Sequence, residues 1–430
     1  MMKTRLSVFL ILFLLGVTGC STTRMMTDPV LTGQGAGIEE KLEGLRLPSA
    51  HSMRPVIYTS GPQWFERQLE LIEASQEHIV MTTFLASQTD SNEALYEALA
   101  RKADEGVDVW LLYDGSSYME NTAGRSFIRS LRWLEEHGVK LFEFNPLTVS
   151  RLPSTLRLII RDHRKLFISD GLTVVVGGMN MNHMSLASDQ HDLMFEFTSS
   201  GLASLALEVF RKDWNALSWD TIPEGRFAGF QPSGFQTPIM GHDAHEMTVW
   251  LANQSLDGNP VMASVFAVLF SGAKESILLT PLFPILDGNM RRLVADAVNR
   301  GVRVVIVPPY DGVDINRNAT EYAVADLIAA GAEVYMQTED AEGRFPAMLH
   351  DKLMIIDGRY VLVGSTNFNF RSMNFSKEIS ILIKDDVFGQ EMSDYFQNII
   401  ARSRRITADE AGEWRTFKNW LMHLVSYITA

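Results

Sequence analysis

From Phe65 onward, apolar and polar positions follow two periods that take turns along the chain. "FERQLELIEASQEHIVMTTFL" (Phe65–Leu85) repeats its apolar residues every three to four positions and then becomes a continuous apolar run. That change predicts an amphipathic helix leading into a buried strand. "VFAVLFSGAKESILLTPLF" (Val265–Phe283) follows the same plan. "NEALYEALARKADEGVDVWLLYD" (Asn92–Asp114) and "NMRRLVADAVNRGVRVVIVPPYD" (Asn289–Asp311) each predict a helix, a glycine turn and a strand. "FIRSLRWLEEHGVKLFEF" and "AVADLIAAGAEVYMQ" add one more helix and a short strand to each series. Such alternation predicts an α/β fold with a largely parallel core, written twice. "PEGRFAGFQPSGFQTPIMG" (Pro223–Gly241) breaks the pattern and reads as the linker between the copies.

Each copy ends in the same unusual element. "HRKLFISDGLTVVVGGMN" (His163–Asn180) and "HDKLMIIDGRYVLVGSTN" (His350–Asn367) share His-x-Lys, four residues, Asp, six residues, then Gly-[Gly/Ser]-x-Asn. Two-residue spacing puts His163 with Lys165, and His350 with Lys352, on one face of a predicted strand. Asp170–Gly171 and Asp357–Gly358 are hairpin signals, so these two aspartates have two roles open, turn chemistry and catalysis. The glycines let backbone approach a ligand, and Asn180 and Asn367 can donate to it.

If the copies face each other, two imidazoles, two ammonium groups and two carboxamides surround one volume. That set suits the oxygens of a phosphodiester, and it contains no carboxylate cluster for a metal. One histidine can act as nucleophile, and its protonated partner can serve the leaving oxygen. The expected chemistry is phosphodiester cleavage or transfer through phosphohistidine, with no metal and no cofactor. "HDAHE" (His242–Glu246) hints at a metal pair but lacks the His-Glu-x-x-His spacing.

The doubled HxKxxxxDxxxxxxG[GS]xN resembles the phospholipase D superfamily and, within it, the bacterial cardiolipin synthase-like branch. "SDQHDLMFEFTSSGLASLALEVFRKDW" and "FRSMNFSKEISILI" resemble the family's segments after the two motifs, and the resemblance covers roughly residues 55–405. It implies two tandem repeats forming a pseudo-dimer with the active site between them. By that resemblance His163, Lys165, Asp170, His350, Lys352 and Asp357 form the catalytic set. His163 is the expected nucleophile and His350 the general acid, with the reverse assignment open. Lys165, Lys352, Asn180 and Asn367 would hold the phosphate. Asp192 and Glu378 would orient the imidazoles, and Gly178 stands where the second motif has Ser365. The implied activity is phosphatidyl transfer of the cardiolipin synthase type or phospholipase D hydrolysis. The alternatives are a periplasmic nuclease of the same fold and a non-catalytic lipid-binding protein of the envelope.

Length and composition add bounds. A chain of 430 residues suits two domains of about 150–200 each. Its formal charge of −14 argues against non-specific nucleic-acid binding. At the N-terminus, Lys3 and Arg5 precede the apolar "LSVFLILFLLGV", and "VTGC" resembles a bacterial lipobox ending at Cys20, the single cysteine. This implies a signal peptide at 1–19 and acylation of Cys20. Ser21 after it favours the outer membrane, so the expected location is the cell envelope, lipid-anchored at the periplasmic face. Residues 20–54, rich in Thr, Gly, Ser and Pro, read as a tether reaching on the order of 110 Å when extended. The expected order is then repeat 1 at 55–222, linker at 223–241, repeat 2 at 242–405 and an amphipathic helix at 406–430. That helix would pack on the body or lie in a membrane interface. Pro308–Ala323 reads as a loop where relatives gate substrate entry.

Overall fold

The computed structural model describes residues 26–33, 35–120, 125–147, 159–187, 190–227, 245–257, 259–310, 314–338 and 348–429. The expected signal peptide, Cys20 and most of the linker lie outside the described residues. Among the described residues, no helix is long and apolar enough to cross a membrane.

Strand β1 (Ser49–Ser52) and strand β2 (Val56–Ser60) open the fold, followed by β3 (His78–Thr83), β4 (Asp108–Asp114) and β5 (Lys140–Phe144). Then come β6 (Arg161–Asp162), β7 (Leu166–Ser169), β8 (Thr173–Gly177) and β9 (His191–Thr198). The second half supplies β10 (Met247–Gln254), β11 (Ser276–Thr280), β12 (Arg303–Ile306) and β13 (Glu333–Gln337). It ends with β14 (Leu353–Ile356), β15 (Tyr360–Gly364), β16 (Ser376–Lys384) and β17 (Ser403–Arg405).

The first sheet runs β2-β9-β8-β7-β3-β4-β5, and the second contains β10-β16-β15-β14-β11-β12-β13. Strand for strand these are one topology used twice, flanked in the second sheet by β1 and β17. The largely parallel core expected from sequence is corrected here. Only β3-β4-β5 and β11-β12-β13 pair in parallel within each repeat, and the remaining neighbours are antiparallel. A continuous apolar run reports burial on both faces, which antiparallel strands sandwiched between layers also have.

That sandwich is visible in the alternation along single strands. Leu166 and Ile168 of β7 enter the core between the sheets, whereas Phe167 packs outward beneath helices Gly61–Ala74 and Glu93–Asp104. The inner core is shared by both repeats, with Val174, Val176 and Phe195 joining Ile355, Val363 and Ile381. The two halves therefore bury apolar surface in common.

The segment expected to be a tether is packed from Met26 onward. Met26, Leu31, Ile38 and Leu42 are buried in the outer core of the second repeat. Helix Val261–Gly272 ends in a glycine whose Cβ would lie 2.3 Å from Ile38. Lys41 Nζ donates to the Gly33 carbonyl (2.7 Å) and to Ser271 Oγ (3.2 Å). Strand β1 then joins the second sheet and β2 the first, so this segment straps the halves together. The four buried apolar residues are too widely spaced to form a periodic signal, and their partners lie more than 200 positions away.

Two further expectations change. Most of Pro308–Ala323 is helix Asp314–Ala329 rather than loop, with Asp311–Val313 outside the described residues. The C-terminal segment is two helices, Ala408–Glu413 and Phe417–Thr429. The latter packs on the body through Leu424 and Tyr427, the Tyr427 hydroxyl donating to the Leu286 carbonyl (2.7 Å). Its Phe417 and Trp420 are exposed and touch with their rings tilted at 35°.

Candidate active site

The two histidines stand just before strands rather than on them. β7 starts at Leu166 and β14 at Leu353, so each His-x-Lys occupies the extended entry to its hairpin. Each entry is captured by the other repeat. β6 pairs in parallel with the start of β16, and the His163 N–H donates to the Lys377 carbonyl (3.0 Å). In the mirror arrangement, His191 N–H donates to the Met348 carbonyl (3.1 Å) and His350 N–H to the His191 carbonyl (2.7 Å).

This pairing delivers each histidine to a carboxylate of the opposite repeat. His163 Nδ1 lies 3.2 Å from Glu378 Oε2, and His350 Nδ1 lies 2.5 Å from Asp192 Oδ2. With Nδ1 engaged by a carboxylate, Nε2 is the atom left for chemistry; at His350, Lys352 Nζ also lies 2.7 Å from Nδ1 and 3.3 Å from Nε2. The surrounding residues differ between the halves. Glu378 also accepts from Ser365 Oγ (2.5 Å) and Ser372 Oγ (2.7 Å). At the position matching Ser365, a Cβ on Gly178 would sit 2.1 Å from Asp192 Oδ1. The pair Gly178–Asp192 thus replaces Ser365–Glu378: the shorter acid works because the glycine leaves room for its carboxylate.

Lys165 and Lys352 are buried beside their histidines. Lys165 Nζ donates to the His163 carbonyl (2.7 Å), and Lys352 Nζ donates to the His350 carbonyl (2.5 Å) and lies 3.8 Å from Asp192. Asn180 Oδ1 accepts from Leu85 N–H (3.2 Å), while Asn367 Oδ1 is buried with no hydrogen-bond partner. His163, His350, Asn180 and Asn367 all line one cavity of about 180 Å³, with Phe84, Phe283 and Arg371 on its wall. Of the expected site residues that are described, all but two converge at or directly behind this cavity.

The exceptions are Asp170 and Asp357. Both sit in the hairpin turns with positive φ (50° and 53°), each followed by a glycine near +60°, the geometry of a type I′ turn. An extended run of seven residues from His163 to Asp170 spans roughly 20 Å. There Asp170 accepts the N–H groups of Gln76, Glu77 and His78, and Asp357 those of Lys274, Glu275 and Ser276. Each anchors its hairpin to the start of β3 or β11, so of the two roles open to these aspartates it is turn chemistry that the contacts display. Gly177 and Gly364 are also explained by neighbouring backbone, the carbonyls of Leu193 and Ile379, rather than by a ligand.

Electrostatics separate the two sides. Burial, then Lys165 and Lys352, holds His163 well below the usual imidazole range. Burial and Lys352 also lower His350, but Asp192 opposes them. Burial alone would raise Asp192, yet Lys352 and His350 keep it below the ordinary aspartate value. Glu378 goes the other way: burial pushes it up to about 7, against the pull of Lys165 and Ser365. An ionised carboxylate therefore faces His350, and a carboxyl near its titration point faces His163.

Several contributors were not singled out from sequence. Phe84 packs edge-on against His163, with ring centroids 5.0 Å apart. Asp351 bonds His191 (2.9 Å) and Tyr395 (2.6 Å), bracing the crossed pairing from outside. Comparing the two motifs beyond their asparagines would have exposed Arg371, four positions after Asn367. Among the described residues no group of three or more His, Cys, Asp or Glu is placed to hold a metal. His245 pairs with Asp385, while His242–Ala244 lie outside the described residues.

Comparisons with known proteins show what this chain is similar to. The family model described as cardiolipin synthase, PLD-like domain, matches residues 69–214 and 267–400. The major cardiolipin synthase of Bacillus subtilis is 28% identical over 386 residues, covering 86% of this chain and 74% of the relative. Cardiolipin synthase 1 of Bacillus anthracis is 24% identical over 384 residues, covering 86% and 70%. Among solved structures, the phosphatidylserine synthase of Haemophilus influenzae superposes with a TM-score of 0.67, covering 91% of this chain and 99% of that one. At 15% identity that last likeness is one of fold.

Proposed function

This chain belongs to the cardiolipin synthase, PLD-like domain family, and we propose that it is a phosphatidyltransferase working through phosphohistidine on phospholipid substrates. The observation that carries the proposal is the convergence of both histidines on one cavity, each braced through Nδ1 by a carboxylate of the opposite repeat.

The difference between those carboxylates supports assigning the roles. Neutral His163 offers the Nε2 lone pair to phosphorus, and the P–N bond forms as the P–O bond to the departing alcohol breaks. His350, whose cationic form ionised Asp192 stabilises, passes its Nε2 proton to the departing oxygen. The acceptor hydroxyl then returns a proton to His350 as its oxygen displaces His163. Lys165, Lys352 and the carboxamides of Asn180 and Asn367 supply charge and donors for the non-bridging oxygens. No step in this sequence calls for a metal.

For location, we propose a periplasmic lipid-anchored enzyme, supported by the "VTGC" ending at Cys20. Because Met26 is already packed, at most five residues, 21–25, separate the anchor from the body, a reach of about 20 Å rather than the longer tether. Cys20→Ser should abolish acylation and release the protein from membranes.

Purified protein in vesicles of mixed phospholipids tests the activity. The expected product is a phosphatidyl-alcohol such as cardiolipin, formed faster than phosphatidic acid. Phosphatidic acid as sole product would make the enzyme a hydrolase, and DNA cleavage without lipid turnover would identify a nuclease.

A further inference from the structure

Behind the catalytic cavity the two repeats are built differently. Ile79 pairs with Ser169 across β3 and β7 as Ile277 pairs with Ile356 across β11 and β14, one residue before each motif aspartate. Eleven positions before these isoleucines stand Gln68 and Phe266, on helices Gly61–Ala74 and Val261–Gly272. In the second repeat Phe266 and Phe270 stack on Phe368, with ring centroids 5.2 and 5.3 Å apart. The matching residues of the first repeat are Gln68, Ile72 and Met181. There a cavity of about 20 Å³ opens beside Gln68 and Met181 instead.

That cavity has Gln68, Lys165 and Asn180 on its wall, together with Met179 and Met194. Asn180 also lines the catalytic cavity, so the small one lies directly behind it. Gln68 is 4% exposed, and its Oε1 is buried with no hydrogen-bond partner. Lys165 is equally buried; its Nζ donates to the His163 carbonyl, and the Phe84 ring lies 5.1 Å away. Among the described residues Lys165 has no carboxylate within 4.0 Å, whereas Lys352 has Asp192 at 3.8 Å. An ammonium carries three donors, and a buried one short of acceptors is costly. A polar cavity of this size takes one water, provided that it finds two or more polar partners. An orphaned acceptor and an under-used donor supply them.

We propose that Gln68 is a positioning residue for Lys165, acting through one buried water that accepts from Lys165 Nζ and donates to Gln68 Oε1. The inference rests on the phosphatidyltransferase reading above, in which Lys165 must be cationic to hold the phosphate. Burial, then Lys352, pulls Lys165 well below the usual lysine range. Glu378, Asp192 and Asp162 oppose that pull, and the imidazoles of His163 and His350 also face the ammonium. The bridge is stronger to the ammonium than to the neutral amine, so it keeps Lys165 protonated to higher pH. Lys352 has Asp192 for that purpose, and the second repeat can fill the same space with rings.

Full-length protein tests this with sulfate, a phosphate mimic whose charge is constant through the neutral and alkaline range. Removing the acceptor in Gln68→Leu should lower the proton affinity of Lys165 by about one pH unit. The alkaline limb of kcat/KM for phosphatidyl transfer should move down by the same amount. Sulfate binding, followed by calorimetry, should weaken about tenfold above the wild-type limb and stay unchanged below it. Gln68→Glu keeps a carboxyl oxygen as acceptor and should return the limb to its wild-type position or higher. Gln68→Met repeats the test if the Leu variant folds poorly. Apolar variants that melt like wild type and leave both the limb and sulfate affinity unchanged would overturn the inference. So would a loss equal at every pH, which marks a packing role alone. Sulfate binding with this Gln68 dependence, in a protein that transfers no phosphatidyl group, would instead overturn the activity proposed above and leave the bridge standing.

Discussion

His350 Nδ1 and Asp192 Oδ2 are 2.5 Å apart although 158 residues separate them in the chain. The mirror pair, His163 and Glu378, joins positions 215 apart. Neither repeat carries a complete histidine–carboxylate unit of its own, so the site exists only when the two sheets are docked.

The histidines should behave as one unit. His163→Ala and His350→Ala are each expected to remove nearly all turnover, with the double variant little worse than either. With a donor whose leaving group needs no proton, such as a nitrophenyl ester, phosphoenzyme should accumulate in His350→Ala and be absent from His163→Ala. Acid-quench trapping measures this, and the opposite pattern would exchange the two roles.

Gly178→Ala should be severe for a surface-neutral reason. The new Cβ would meet Asp192 Oδ1 at 2.1 Å, so the carboxylate that holds His350 must move. A displacement near 1 Å costs about a hundredfold in rate. The matching Ser365→Ala removes a hydrogen bond but creates no clash, so its loss should be smaller. Steady-state rates of the two variants, checked against their melting temperatures, decide the ordering.

Glu378 sets a pH dependence of known sign. Ionised, it accepts the His163 Nδ1 proton and stabilises the cationic phosphohistidine ring, so kcat/KM should rise with pH through about 7. Glu378→Gln should flatten that limb. For stability the direction reverses. A carboxyl raised from 4.5 to about 7 holds its proton in the folded state over the range where the unfolded chain has lost it. Its contribution is therefore fully present below pH 4.5 and is lost as pH rises through about 7. Wild type should lose melting temperature relative to Glu378→Gln between pH 5 and pH 7.5, which calorimetry at the two pH values measures.

Asp170→Asn and Asp357→Asn should affect stability rather than chemistry. Each aspartate accepts three backbone N–H groups in a turn remote from the cavity. Losing the charge-assisted bonds should cost on the order of 1–3 kcal/mol, seen as a drop in melting temperature. The rate per folded molecule should stay within about threefold. A full loss of turnover in a variant that still melts cooperatively would return these residues to catalysis.

The residues of the site were legible in the sequence because the chain writes them twice at one spacing, His163 to Asn180 and His350 to Asn367. Chance does not repeat a polar pattern across an apolar run, and local periods betray the helices and strands around it. Three things were decided only in three dimensions. The partner of each histidine depends on strands β6 and β9 reaching the other repeat, a contact across more than 150 positions with no local period. Asp170 and Asp357 share the motif's spacing with the histidines and lysines, but the length of a strand carries them away from the cavity. Met26, Leu31, Ile38 and Leu42 look like scattered apolar residues in a polar tail until helix Val261–Gly272 covers them. Spacing along a chain reports what one strand or helix does, whereas partners are chosen by which surfaces the shared core brings together.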